Sequence, residues 1–158
     1  MSLFDIQQVT VGPKNLTARV RLANGAPVKT AEDIEGTNRV YQLMPQIADH
    51  ACVSEQGDTF RDALGDTELS HLLEHVTVEL MARLGVEDVS AGNTAPTAEE
   101  RVWDITLSCP NDVLTLGALS SAAWIMEWAF SGGSGPAPDV EHTVAGLREL
   151  VASLPNPA

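Results

Sequence analysis

Residues 67–85, TELSHLLEHVTVELMARLG, constrain the fold more than any other stretch, because a helix start and a helix stop bracket an apolar repeat. Asp66 or Thr67 offers an N-cap, Glu68 puts negative charge in the first turn, and Gly85 follows the last periodic residue. At 100° per residue Leu69, Leu72, Leu73, Val76, Leu80 and Leu84 form one apolar stripe, which other elements must cover. His71 and His75 fall on the other side, one turn apart, so both imidazoles can reach a common point with Glu74 close by. The apolar Val78 on that side makes it a cleft wall rather than a solvated face.

His71-Leu72-Leu73-Glu74-His75 has the inverted order of a zinc peptidase signature. His71 and His75 would bind zinc, and Glu74 would take the proton from a water that the zinc acidifies towards neutral pH. A catalytic site of this type needs a third protein ligand. His50 is the first choice, being polar and carried by the chain that leads to the helix; Glu79, one turn beyond His75, is the second. Roughly one chain in a hundred of this composition would show the pattern by chance, so the bland reading is two surface histidines with no convergence on His50. Cys52 could bind a soft metal, but an isolated cysteine reads first as a small buried apolar residue. His142, without a partner at ligand spacing, reads as surface.

The rest of the chain predicts an α+β fold, a small mainly antiparallel sheet packed against helices in a single domain. Leu16, Ala18, Val20 and Leu22 alternate with Thr17, Arg19 and Arg21, and the turn around Gly12-Pro13 pairs this strand with the mixed residues 4–11. A helix start at Thr30-Ala31-Glu32-Asp33 leads to a helical face across residues 37–49, interrupted at Pro45. Trp103, Ile105 and Leu107 mark a further strand; Asn111-Asp112 cap an apolar helix over 113–130. The three tryptophans, Trp103, Trp124 and Trp128, read as core. The expected organisation is a domain over 1–130, a flexible SGGSGPAP linker over 131–138, and an amphipathic helix over 139–158 that docks on the domain or on a neighbouring subunit.

A net charge of −13 leaves no basic patch, so neither nucleic acid nor an anionic membrane is an expected partner; a cationic or arginine-bearing ligand fits better. Glu87-Asp88 and Glu99-Glu100 read as solvated charges. Residues 113–130 approach the length of a membrane span, but Glu127 and the lack of flanking Lys or Arg favour a core or interface helix. Two cysteines and a start without a secretory pattern predict a reduced, cytoplasmic protein. No Gly-rich phosphate loop or nucleophile elbow is present, which removes nucleotide-dependent and serine-hydrolase chemistry.

MPQIADHAC at 44–52, GDTF at 57–60 and GDTELSHLLEHVTVEL at 65–80 resemble the N-terminal domain of cyanophycin synthetases. There a helix ending in Leu-Pro is followed by His-x-Cys, Gly-Gly-Phe, Gly-Thr, and a helix of the form His-x-x-Glu-His-Val-x-x-Glu-Leu. The Gly12-Pro13-Lys14-Asn15 turn is similar to the family's early Gly-Pro-Asn, and the resemblance spans 9–130, densest over 43–85. It implies enzymes that build a polymer of aspartate backbone with arginine on each side chain. In some members this domain resembles a metallopeptidase that clips the polymer into primers. Carried over by motif, His50, His71 and His75 would bind zinc and Glu74 would be the base. Ala91-Gly92-Asn93-Thr94 stands where the family tends to have Gly-Arg-Thr-Arg, so both arginines are missing. The ligase domains are also missing, so a stand-alone relative is expected.

The leading expectation is thus a zinc-dependent hydrolase of amide bonds in a peptide-like, arginine-rich polymer such as cyanophycin. The alternative is a non-catalytic module that binds the polymer or a partner enzyme through the same cleft. A homo-oligomer formed through the 113–130 helix or the C-terminal helix is compatible with either.

Overall fold

The fold is that of a computed structural model, which describes residues 2–86 and 92–154. Glu87-Asp88, Ala91 and the last residues of the expected C-terminal segment lie outside the described residues. Strands β1 (Phe4–Val11) and β2 (Asn15–Leu22) form the expected hairpin, closed by the Gly12 N–H donating to Asn15 O at 2.7 Å. β2 pairs antiparallel with β6 (Val102–Ser108), which in turn pairs with β5 (Asn93–Pro96), giving an antiparallel sheet in the order β1-β2-β6-β5. A separate two-stranded ribbon joins β3 (Ala51–Ser54) and β4 (Gly57–Thr59). The helices are α1 (Ile34–Leu43), the short α2 (Phe60–Ala63), α3 (Leu69–Arg83), α4 (Asp112–Phe130) and α5 (Val140–Ala152). The chain is a single α+β domain.

Alternation sorts the sheet into two faces. Leu16, Ala18, Val20 and Leu22 of β2 and Trp103, Ile105 and Leu107 of β6 are buried against the helices. Arg19 and Asp104 face each other across the strands on the opposite side, in a two-pronged pair at 2.9 and 3.1 Å. The mixed character of residues 4–11 has a cause: the register slips between Ile6 and Gln8, so Gln7 is an extra residue and the inward parity changes along β1.

Three boundaries differ from those read in the sequence. The helix expected across 37–49 is α1 followed by a separate 3-10 turn at Pro45–Asp49; Met44, whose backbone leaves the helical region ahead of Pro45, divides them. The start read at Thr30–Glu32 is a 3-10 turn, and Asp33 is the cap of α1, accepting from the Gly36 N–H at 2.9 Å. α3 begins at Leu69 without a side-chain cap. The segment before it instead pairs with residues 28–30: Thr30 N–H donates to Thr67 O and Leu69 N–H to Val28 O. Thr67, expected to cap, is left to place its hydroxyl 2.9 Å from His71 Nδ1. The other end of α3 is as expected, with Gly85 at φ +84° and the Val86 N–H reaching back to Met81 O.

α3 is the central helix, packed between α4, the sheet and the 45–49 turn. Its burial extends beyond the single apolar stripe: Glu74, His75 and Glu79 are buried as well, because β5 and the 45–49 turn cover the side opposite the stripe. α4, capped by Asn111 as expected, packs on α3, α1 and α5. Of the three tryptophans only Trp103 is core; Trp128 is half-buried, and Trp124 is 57% exposed on α4.

Helix contacts set two substitutions of opposite sign. A β-carbon on buried Gly36 would stand 2.6 Å from Phe130 Cδ1, so Gly36→Ala is expected to destabilise by about 1–3 kcal/mol, less a smaller helix-propensity gain. Gly146, exposed on α5 with open space around it, should respond to Gly146→Ala with about 0.5–1 kcal/mol of stabilisation. Urea midpoints at unchanged slope measure both.

Candidate metal centre

Side chains from four places in the chain meet over the polar side of α3. The helix presents His71, Glu74, His75 and Glu79; the 45–49 turn ends at His50, and β3 begins immediately after it with Cys52 two residues on. Edge strand β5 brings Thr94. Beneath them lies fully buried Phe60, its ring stacked on His75 at 3.9 Å between centroids and edge-on to His71 at 5.1 Å. His50, Cys52, His71, Glu74, His75 and Thr94 line a cleft of about 750 Å³ whose walls also include Glu68, Val78 and Gly92.

Cys52, His71 and His75 form the tightest donor group, with one ligand atom from each within 4.8 Å of the others. His75 Nε2 lies 3.2 Å from His71 Nε2, and Cys52 Sγ lies 3.5 Å from that same atom of His71. His50 also reaches the cluster, but from the far side of His75: its Nδ1 is 3.0 Å from His75 Nδ1, and its Nε2 is 2.9 Å from Glu79 Oε1. Glu79 in turn accepts from Arg83 Nε at 2.8 Å. Two imidazole nitrogens and a thiol are the donor set of a tetrahedral zinc site with one position left open, so the residues present fit that ion.

The surroundings hold the two imidazoles in the neutral form a metal requires. Burial, reinforced by the neighbouring His71 and His50, pushes His75 down to about 3, and burial lowers His71 as well; both rings stay neutral, with a lone pair to offer. Burial, and to a lesser extent the charge of Glu74, raises the Cys52 thiol. Burial also raises Glu74, against a bond donated by Thr94 Oγ1 to Oε1 at 2.7 Å. Glu74 Oε2 stands 3.7 Å from His75 Nε2. Burial pushes Glu79 upward too, but hydrogen bonds from His50 and Arg83 outweigh it and hold this carboxyl below its ordinary range.

Cys52 was weighed as a soft-metal ligand but read first as a buried apolar residue, and Phe60, Thr94 and Gly92 escaped the sequence reading. Cys52 carried a usable signal, since residues two apart on an extended chain point the same way, and His50 was already a candidate. Phe60 and α2 were signalled by Thr59-x-x-Asp62, a capping box in which Thr59 N–H and Oγ1 both donate to Asp62 Oδ2. Thr94 and Gly92 had no such signal, because β5 is short and polar and ends at Pro96. A β-carbon on Gly92 would come within 2.6 Å of Glu74 Oε2, so only glycine leaves that carboxylate its place. His142 is exposed at the start of α5, away from the cleft.

A comparison with curated proteins returns no match. The sequence profile of the cyanophycin synthase-like N-terminal domain matches residues 18–130, from within β2 to the end of α4, and takes in every residue of the cluster. With well over half its length matched, the chain belongs to the cyanophycin synthase-like N-terminal domain family.

Proposed function

We propose that the cleft is a zinc-dependent hydrolytic site for amide bonds of a peptide-like, arginine-bearing polymer of the cyanophycin type, working in the cytoplasm. The observation that carries this reading is the convergence of Cys52, His71 and His75 beside a buried glutamate. Those three residues would hold the ion, with His50 next to them. Bound there, zinc would supply Lewis acidity towards a scissile carbonyl and towards water, which is what amide hydrolysis at neutral pH needs.

The roles of the protein groups follow from their surroundings. Thr94 holds Glu74 Oε1, so Oε2 is the oxygen free to accept a proton from the attacking water and to return it to the leaving amine. Burial raises the affinity of Glu74 for a proton, which suits a group that must take one up and give it back. Phe60 backs the His75 ring, Val78 gives the cleft an apolar wall, and Glu68 on its wall offers a carboxylate to a guanidinium. The net charge of −13 attracts a cationic substrate over a longer range. The family's association with cyanophycin synthases agrees with such a substrate.

Protein purified without a histidine tag and supplied with zinc should bind one equivalent and release new termini from cyanophycin or short arginine-bearing peptides. Glu74→Gln should keep the zinc and lose at least about 100-fold in rate. Zinc below a tenth of an equivalent, unchanged in His71→Ala, overturns the reading; polymer binding without new termini replaces it with a binding module. Gly92→Ala separates position from chemistry: displacing Glu74 should cost on the order of 10-fold to 100-fold in turnover while zinc content stays the same.

A further inference from the structure

His50 is the residue that both spacing and family motif offer as a ligand, yet its two ring nitrogens are engaged elsewhere. Arg83 can only donate, and its Nε–H goes to Glu79 Oε2 at 2.8 Å while Nη2 donates to Gln46 Oε1 at 2.8 Å. Glu79 is therefore a carboxylate held in place, with Oε1 2.9 Å from His50 Nε2. A carboxylate only accepts, so His50 Nε2 carries the hydrogen. With one hydrogen on the ring, Nδ1 is left as the acceptor, and the group it faces at 3.0 Å is His75 Nδ1. His75 must then be protonated on Nδ1, which puts its lone pair on Nε2. That nitrogen is the one that meets His71 Nε2, the atom Cys52 Sγ also approaches.

We propose that His50 is a positioning residue: it ends a Gln46–Arg83–Glu79–His50 relay that aims the Nε2 lone pair of His75 at the metal, and is not itself a ligand. The proposal rests on the metal-site reading above. The opposite arrangement, an ion between the two Nδ1 atoms, would place the hydrogen of His75 on Nε2. Facing His71 Nε2 at 3.2 Å as a donor, that N–H would consume the lone pair of His71 and dismantle the three-donor group. The first arrangement leaves the Nε2 lone pairs of His71 and His75 both available beside Cys52 Sγ. The pattern is that of an outer partner which sets the tautomer and orientation of a ligating histidine.

Cobalt(II) titration of the tag-free protein tests this without any assay of hydrolysis. Cys52→Ser should abolish the sulfur-to-cobalt charge-transfer band, and His71→Ala should weaken cobalt binding well beyond 100-fold. His50→Ala should keep the band and tetrahedral spectrum and lose only about 10–100-fold in affinity. Glu79→Gln should weaken binding in the same direction, and the double variant should be no worse than His50→Ala, because Glu79 acts through His50. Long-range nitrogen–proton NMR of the metal-free wild-type protein should show His75 protonated on Nδ1, a readout that survives any failure of the variants to fold. Protonation of His75 on Nε2, loss of the tetrahedral spectrum in His50→Ala, additive losses in the double variant, or a wild-type protein that takes up no cobalt would each overturn it. A protein that binds cobalt in the expected pattern but cuts no substrate would sink the hydrolase and leave the relay standing.

Discussion

The structure depends on the burial of α3 together with its polar side chains. A helix that carries Glu74, His75 and Glu79 into the interior would lose several kcal/mol for each uncompensated charge, so each group must meet a partner there. The surrounding elements supply them. The 45–49 turn delivers His50 to Glu79, β5 delivers Thr94 to Glu74, and the segment before the helix delivers Thr67 to His71. Arg83, one turn along the helix from Glu79, supplies the fixed positive charge that keeps this carboxylate ionised.

The apolar and polar sides of α3 are answered by different kinds of structure. Towards the core, Leu69, Leu72, Leu73, Val76 and Leu80 pack on α4 and the sheet, where shape and volume decide the fit. On the other side the covering pieces are small: a two-stranded ribbon, a single helical turn and a four-residue edge strand. Close approaches take the place of bulk. Gly57 passes so near Asp62 that a β-carbon would collide with its carboxylate, and Gly92 does the same beside Glu74. The cleft is thus walled on one side by rigid packing and on the other by short, individually anchored segments, with Phe60 stacked behind His75.

Regular elements were legible where the pattern of side chains was long and uninterrupted. β2, β6 and α4 show a period of two or a capped apolar run, and the Gly85 stop is a local conformational requirement. β1 was blurred by a single extra residue at Gln7, which reverses inward parity halfway along the strand. β5 was silent because four residues ending in proline carry too little periodicity, and Trp124 was misjudged because an apolar residue on an apolar helix does not reveal which sides other elements cover.

By itself the sequence determined that one helix must carry two imidazoles and a carboxylate on a common side, since the 3.6-residue period sets their spacing whatever the helix packs against. It also determined that the sheet must bury the β2 and β6 faces, since strand alternation leaves no other choice. Only the tertiary structure decided which atoms meet. That Cys52 rather than His50 stands at the Nε2 atom of His71, and that Glu79 turns to His50, depends on where the 45–49 turn and β3 dock against α3. Contacts across 19 to 29 residues of sequence are set by packing, in which a rotation of a fraction of a turn exchanges one nitrogen of a ring for the other.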